Sequence, residues 1–281
     1  MEQLPRLQAQ ISSLQELRDL IRAMRGLAAS RVQEAQAALA GIRRYVDVVE
    51  DAIAEGAALL PQAGGLTAPP GPPRPGALIV VCSEHGFVGS FNERLLDRAA
   101  AERKSGQEVV IIGRRGAVLA LERGFDVECN FPMATHVNGV LGVTRRVAAR
   151  LAEVSAADIV FGNYRRGGDF EIDLRRVLPL DPALLVGSEQ RSPPLHHLAP
   201  ETLLQRLAGE YLFGEITHAV MESLASENGA RLRVMESADH NIGDKLDKFQ
   251  QKQRVLRQEV ITSELLDVVT GSEAILTRFG R

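Results

Sequence analysis

The sequence predicts an α/β fold in which two long terminal helices form an antiparallel coiled coil around an inserted, doubly wound α/β domain. Three observations carry this. Apolar residues recur every seven positions through roughly the first 60 residues. Short apolar runs then alternate with helical patterns, as in a parallel sheet. A second apolar stripe, free of proline after Pro200, continues to about Phe279.

In the first region, Leu7, Leu14, Ile21, Ala28, Ala35, Ile42 and Val49 make one row of a heptad repeat. Leu4, Ile11, Val32, Leu39, Val46 and Ile53 make the second, which Arg18 and Arg25 interrupt. The interruption predicts that the middle of this helix meets something other than a plain apolar seam. Pro5 falls where a first helical turn tolerates it. A helix of this length would reach roughly 85 Å, too long for an ordinary globular domain.

Residues 61–76, PQAGGLTAPPGPPRPG, cannot continue a helix and read as an exposed, fairly stiff linker. The α/β (Rossmann-like) domain is expected over residues 77–194. Its strands are ALIVVCS at 77–83, EVVIIG at 108–113, FDVECN at 125–130 and DIVFGNY at 158–164. Helices are expected over 92–104, up to Arg123, and over 140–154. FEIDLRRVLPL at 170–180 is placed as an antiparallel edge strand. The last region, 195–281, carries Leu203, Leu207, Tyr211, Ile216, Val220 and Leu224. The stripe continues through Leu232, Met235, Ile242, Leu246, Phe249, Leu256, Val260, Leu265, Val268 and Ile275. Gly229 and Gly243 are weak points at which this helix could bend. Neither long helix can bury its seam on the insert alone, so the two are expected to pair and to project as a rod.

Composition narrows the function. The chain has 281 residues, 45% of them hydrophobic and only 4% aromatic, which suits helical seams of Leu, Ile, Val and Ala more than a ring-rich globule. A net charge of -3 argues against a nucleic-acid binder. Cys82 and Cys129 have neither metal spacing nor a disulfide framework and read as small buried hydrophobes. No apolar run reaches the ~18 residues of a membrane helix, and no signal peptide precedes Leu4, so membrane association is expected only through a partner.

Catalytic and cofactor motifs are weak. SEHGFVGSFN, residues 83–92, follows the first strand, where a glycine turn before a helix can cradle a phosphate. It lacks the third glycine of a dinucleotide fingerprint and is not a P-loop, so a structural turn is the better reading. None of His85, His136, His196, His197, His218 and His240 has a metal-ligand spacing, and no GxSxG occurs. No cofactor and no metal are expected. Between Glu227 and Glu264 the last helix carries seven basic and seven acidic residues. That balance fits either a solvated face or a surface that touches changing partners without adhering to any.

Residues 225–275 contain Ser226-Glu227, Ala230-Arg231, Met235 to Ala238, Asn241 and Asp244. Further on come Arg257-Gln258, Ile261-Thr262, Glu264-Leu265 and Gly271 to Ala274. This series resembles the C-terminal signature of gamma subunits of F-type ATP synthases. IRAMRGLAASR, from Ile21 to Arg31, resembles the family's N-terminal helix, and the turn ending Gly89-Ser90-Phe91-Asn92 resembles its central GLxGxFN. The resemblance covers the whole chain in order. Gln15, Glu16 and Asp19 make the N-terminal helix less basic than is usual, and SEHGFVGSFN departs from the family's DRGLCGGFN. The AMRGLAA and GFVGSFNERLLD forms are most similar to the alternative, sodium-type bacterial branch, although ion choice belongs to the membrane ring.

The resemblance implies a non-catalytic rotor that couples ion flow to ATP synthesis or hydrolysis. Its paired helices would turn inside a head of alpha and beta subunits, and its α/β domain would meet the epsilon subunit and the c-ring. It would then be a peripheral protein at the cytoplasmic face of the bacterial inner membrane. The family's head contacts fall on Met24, Arg231, Arg257, Gln258, Thr262 and Glu264, with Arg257 and Gln258 facing an acidic loop of beta. Arg18, Arg22, Arg25 and Arg31 would add a basic collar. Two other readings fit the residues alone: a coiled-coil tether or adaptor, and an α/β enzyme with a helical arm. No nucleophile, base or metal set supports the second.

Overall fold

The computed structural model describes residues 3–60, 76–151, 154–185 and 196–279. The expected linker thus lies outside the described residues except for Gly76, which opens the first strand. The elements run α1 (Gln3–Ala57), β1 (Gly76–Val81), α2 (Phe91–Glu102), β2 (Glu108–Ile112), α3 (Arg114–Glu122) and β3 (Val127–Phe131). They continue with α4 (Val140–Leu151), β4 (Ala156–Arg165), β5 (Asp169–Leu178) and α5 (Pro200–Phe279). Helix α5 begins at Pro200 rather than at 195. Proline is well suited to a first helical position, and the Ala199 carbonyl already accepts from the Leu203 N–H at 2.9 Å.

The chain divides into two compact bodies. One spans Leu27–Val234, and the other joins the residues up to Gly26 with those from Met235 onward.

In the larger body the sheet order is β3-β2-β1-β4-β5. All neighbouring strands are parallel except β4 and β5, which pair antiparallel from Ala157↔Leu178 to Arg165↔Asp169. Alternation along β1 sends Ala77, Ile79 and Val81 to one face and Leu78, Val80 and Cys82 to the other. The first face packs on Val140, Val143 and Val147 of α4, on Ile216, Val220 and Leu224 of α5, and on Ala35 and Leu39 of α1. The second packs on Phe91, Leu95 and Leu96 of α2 and on Ala117 and Ala120 of α3. Lower down, Val49 and Ile53 of α1 enclose Leu204 of α5, which fixes the antiparallel sense of the helices.

In the smaller body the antiparallel pairing is read from opposed residues. Asp239 faces Arg18 and Arg25, while Leu256 and Val260 share a groove with Leu4. Leu7, Ile11, Ile21, Met235, Ile242 and Leu246 are the buried seam.

Helix α5 runs through Gly229 and Gly243 without a break. Both allow close approach instead. A Cβ on Gly229 would lie 2.8 Å from the Tyr164 ring and 3.2 Å from Gly168 Cα, and one on Gly243 would lie 3.1 Å from Arg18 Nη2.

His218 is buried on α5, edge-on to Phe161 with ring centroids 6.2 Å apart. Burial, together with the nearby Arg175 and Arg43 charges, pushes its imidazole down to about 4.

Two predictions follow from this packing. Gly229→Val should destabilise the chain by about 1–3 kcal/mol, as overpacking does. Gly41→Ala, in open space on α1, should instead stabilise it by about 0.5–1 kcal/mol through helix propensity. Denaturant midpoints of the two variants would check this, and equal shifts would refute the close-approach account. The second concerns acid. Between pH 6.5 and about 4 the unfolded chain binds a proton on His218 that the folded chain refuses, so stability falls as pH falls through that window. His218→Gln should flatten that part of the profile, measured as denaturant midpoint against pH; an unchanged slope would contradict it.

Candidate functional site

Open α/β sheets take ligands outside the carboxyl ends of the strands, where the strand order reverses. Here that point lies between β1 and β4, which stay paired only as far as Val80↔Val160. Beyond it, α5 enters the gap. The buried Ser223 Oγ accepts a hydrogen bond from the Gly162 N–H at 3.0 Å and donates to the Val81 carbonyl at 3.1 Å. Next to it, Glu222 Oε2 accepts from the Tyr164 N–H at 3.2 Å, and Oε1 accepts from Arg43 Nη2 of α1 at 2.7 Å. Gly162 is required for this approach, since a Cβ there would meet the Phe91 ring at 2.7 Å and Ser226 Cβ at 2.9 Å. Every residue over 214–231 is buried. The helix therefore completes the hydrogen bonding of two strand ends and fills the crevice.

The glycine turn after β1 is structural in the same way. Asn92 Oδ1 accepts from the Ser83 N–H at 2.9 Å, and Asn92 Nδ2 donates to Ser83 Oγ at 2.8 Å. The buried Glu84 carboxylate accepts from the N–H groups of Arg114 at 3.1 Å and Met133 at 2.8 Å, and also pairs with the Arg114 guanidinium. Burial alone would raise the Glu84 carboxyl, but the Met133 and Arg114 hydrogen bonds and the Arg114 charge hold it below the usual range. Arg114 opens α3, so this side chain stands where a helix N-terminus would otherwise receive an anion. Gly113 takes φ 108°, and a Cβ there would lie 2.6 Å from the Cys82 carbonyl oxygen.

Arg231, expected at a head-facing surface, lies inside this body. It is buried, pairs with Glu227 at 2.6 Å, donates to Asn228 Oδ1 at 2.9 Å and reaches the Gly86 carbonyl at 3.3 Å. Four residues apart on one helix, Glu227 and Arg231 can satisfy each other where neither could be left unpaired. Arg231 thus anchors the glycine turn. The turn in return presents Phe87, a non-glycine residue at φ 61° whose side chain is 66% exposed. An exposed ring on a left-handed backbone position is a feature for which the sequence carries no signal beyond its place between two glycines.

In the smaller body, Met24 is half-buried, while Arg257, Gln258, Thr262 and Glu264 are exposed. Thr262 Oγ1 donates back to the Gln258 carbonyl at 2.8 Å. Leu256 and Val260 are half-buried beside Leu4, whereas every residue over 261–270 is exposed. That stretch includes Ile261, Leu265, Leu266, Val268 and Val269. On α1, Leu17 and Leu20 are also exposed and share a face with Met24. Of these, Leu265 and Val268 belong to the expected apolar stripe but have no partner among the described residues, whereas Leu17 and Leu20 lie off the heptad rows. Arg18, Arg22 and Arg25 converge on Asp239 at 2.7, 3.2 and 3.5 Å. The hydrogen bond from Arg18, then the charges of Arg22 and its neighbours, holds the Asp239 carboxyl below its ordinary range. Three guanidiniums around one carboxylate leave this collar basic. Among the described residues there is no cluster of acidic, His and Cys side chains able to hold a metal ion.

A family model described as ATP synthase matches residues 3–275. The ATP synthase gamma chain of Sorangium cellulosum is 29% identical, aligned over 98% of this chain and 99% of its own length. The gamma chain of Granulibacter bethesdensis is 26% identical, over 98% of this chain and 100% of its own. Among solved structures, the fold is similar to a chain of the Euglena gracilis mitochondrial ATP synthase, with a TM-score of 0.64 at 12% identity over 99% of this chain and 96% of that one. It is also similar to a chain of the Tetrahymena thermophila central stalk and c-ring, with a TM-score of 0.54 at 17% identity over 78% of this chain and 99% of that one. With a filled ligand crevice, long paired helices and a family match along nearly its whole length, the chain belongs to the ATP synthase gamma-chain family, the non-catalytic central-stalk subunits of F-type enzymes.

Proposed function

We propose that the partner-facing surface of this stalk subunit is the exposed part of α5 between Val255 and Thr270, together with the Leu17, Leu20 and Met24 face of α1, and that it meets the alpha and beta subunits. The supporting observation is the run 261–270, in which large apolar side chains alternate with Thr262 and Glu264 and all are exposed. Contiguous exposed apolar surface of this kind marks an interface. Arg257, Gln258, Thr262 and Glu264 supply polar contacts that form and break as the stalk turns.

The coupling follows from differential contact. A stalk that touched every beta subunit equally would shift no equilibrium, because a conformational change needs a difference in interaction free energy between states. Three copies of beta around one asymmetric stalk meet different faces of it, so each is biased in turn among states of different nucleotide affinity. Arg257 is the charged member of the contact, and Gln258 supplies both a donor and an acceptor beside it.

The α/β domain in this reading faces the epsilon subunit and the c-ring, and ion flow through the ring turns the whole chain. The protein then sits at the cytoplasmic face of the bacterial inner membrane, held there by its partners. Consistent with this, no described helix is long and apolar enough to cross a membrane.

Arg257→Ala with Gln258→Ala should leave assembly with alpha and beta intact, because both side chains lie off the half-buried positions Leu256 and Val260. A lost charge-assisted hydrogen bond is worth about 1.5–3 kcal/mol at the angles where it forms, enough to slow turnover severalfold or more. ATP hydrolysis and ion transport in reconstituted vesicles, with a pull-down for assembly, would measure this. Full activity in the assembled double variant would remove these two residues from the coupling mechanism.

A further inference from the structure

We propose that Glu222 and Ser223 of α5, with Arg43 of α1, form the joint through which torque passes between the sheet and the two long helices. This rests on the reading of the chain as a turning stalk and assigns a task to residues outside the partner-facing surface proposed above.

The geometry is specific. Ser223 is fully buried and grips the two strands on either side of the crevice at once, through Gly162 at 3.0 Å and Val81 at 3.1 Å. Glu222, 1% exposed, holds β4 through Tyr164 at 3.2 Å and α1 through Arg43 at 2.7 Å. Two consecutive residues thus connect α1, α5, β1 and β4. Apolar packing alone resists rotation of a helix about its axis poorly, since neighbouring side chains offer similar area after a small turn. Hydrogen bonds to strand backbone do not, because they are directional and their loss leaves buried groups unpaired. A rotation of α5 by one residue step, about 100°, would break every one of them.

Close packing keys the same segment. A Cβ at Gly214 would lie 2.9 Å from Val46 Cγ2, one at Gly162 would lie 2.9 Å from Ser226 Cβ, and one at Gly229 would lie 2.8 Å from the Tyr164 ring. These contacts sit above, beside and below the Glu222–Ser223 pair along α5. They stop the helix from sliding, while the hydrogen bonds stop it from turning.

Ser223 and Arg43 are positioning residues, so the test separates holding against torque from simple folding. Complexes carrying Ser223→Ala, Arg43→Ala or Arg43→Lys would be reconstituted into vesicles. ATP hydrolysis and ions pumped per ATP would then be measured against a rising opposing ion gradient. In Ser223→Ala and Arg43→Ala, we expect hydrolysis without a gradient to change little. Ions pumped per ATP should fall roughly three- to tenfold as the gradient grows, the scale on which one lost hydrogen bond shifts a population. Arg43→Lys, which keeps the charge, should recover much of the loss.

If the ratio stays at the wild-type value at every gradient, or if hydrolysis and pumping fall together without a gradient, the proposal is overturned. Should Ser223→Ala fail to assemble, Arg43→Ala decides alone, because that side chain is 60% exposed and its own hydrogen bonds go to Glu222 and His218, not to a strand. Failure of the wild-type chain to copurify with alpha and beta, or to support pumping, would instead refute the stalk reading itself.

Discussion

The Ser223 hydroxyl, shared between the Gly162 N–H and the Val81 carbonyl, is the interaction on which the larger body depends. Where β1 and β4 separate, their facing backbone groups lose each other as partners, and buried backbone groups without partners are costly. One hydroxyl that accepts on one side and donates on the other repairs both strands. It can do so only if α5 lies in the gap, and α5 can lie there only because Gly162 has no side chain. The burial of the segment, its polar composition and the absence of a ligand site at the switch point all follow from that placement.

A parallel economy governs the smaller body. Arg18 and Arg25 break the apolar row of α1, and a seam with two arginines and no partner would be unstable. Asp239 on the facing helix answers both, and Arg22 as well. Polar layers of this kind weaken a coiled coil slightly but fix its register, because only one alignment brings the charges together. Gly243 lets the Arg18 guanidinium approach α5 closely, since a Cβ there would lie 3.1 Å from Nη2. The interrupted heptad is therefore a device for alignment rather than a flaw in the repeat.

Much of the fold was legible because it obeys simple periods. The seven-residue rows of α1 reappear as buried or half-buried positions, and each apolar run in the middle region became a strand of the expected sheet. The burial of residues 214–231 was not legible. Glu215, His218, Glu222, Ser223 and Glu227 look like solvent-facing positions in any pattern that equates polarity with exposure, yet all five are buried: the first four bond to the sheet or to α1, and Glu227 pairs with Arg231 one turn on, apart from individual atoms such as His218 Nδ1 and Glu227 Oε2. The resemblance carried Arg231 over by position as a head contact, and nothing in the sequence marked it as buried against Glu227 and the glycine turn. Gly229 weakens a helix in isolation, while here its missing side chain makes room for Tyr164, which the sequence did not signal. Leu17 and Leu20 escaped notice because they lie off the seam, and exposure is invisible until the seam has a partner.

The filled crevice also bears on what the subunit can sense. A dinucleotide-type domain with an open switch point gains stability in proportion to the logarithm of its ligand's concentration, so its rigidity rises and falls with metabolite supply. Here the place of the ligand is taken by α5, and the place of an anion at the start of α3 is taken by Glu84. Both occupants are covalently part of the chain and are present at a fixed effective concentration. The packing at both places is thereby supplied by the chain itself.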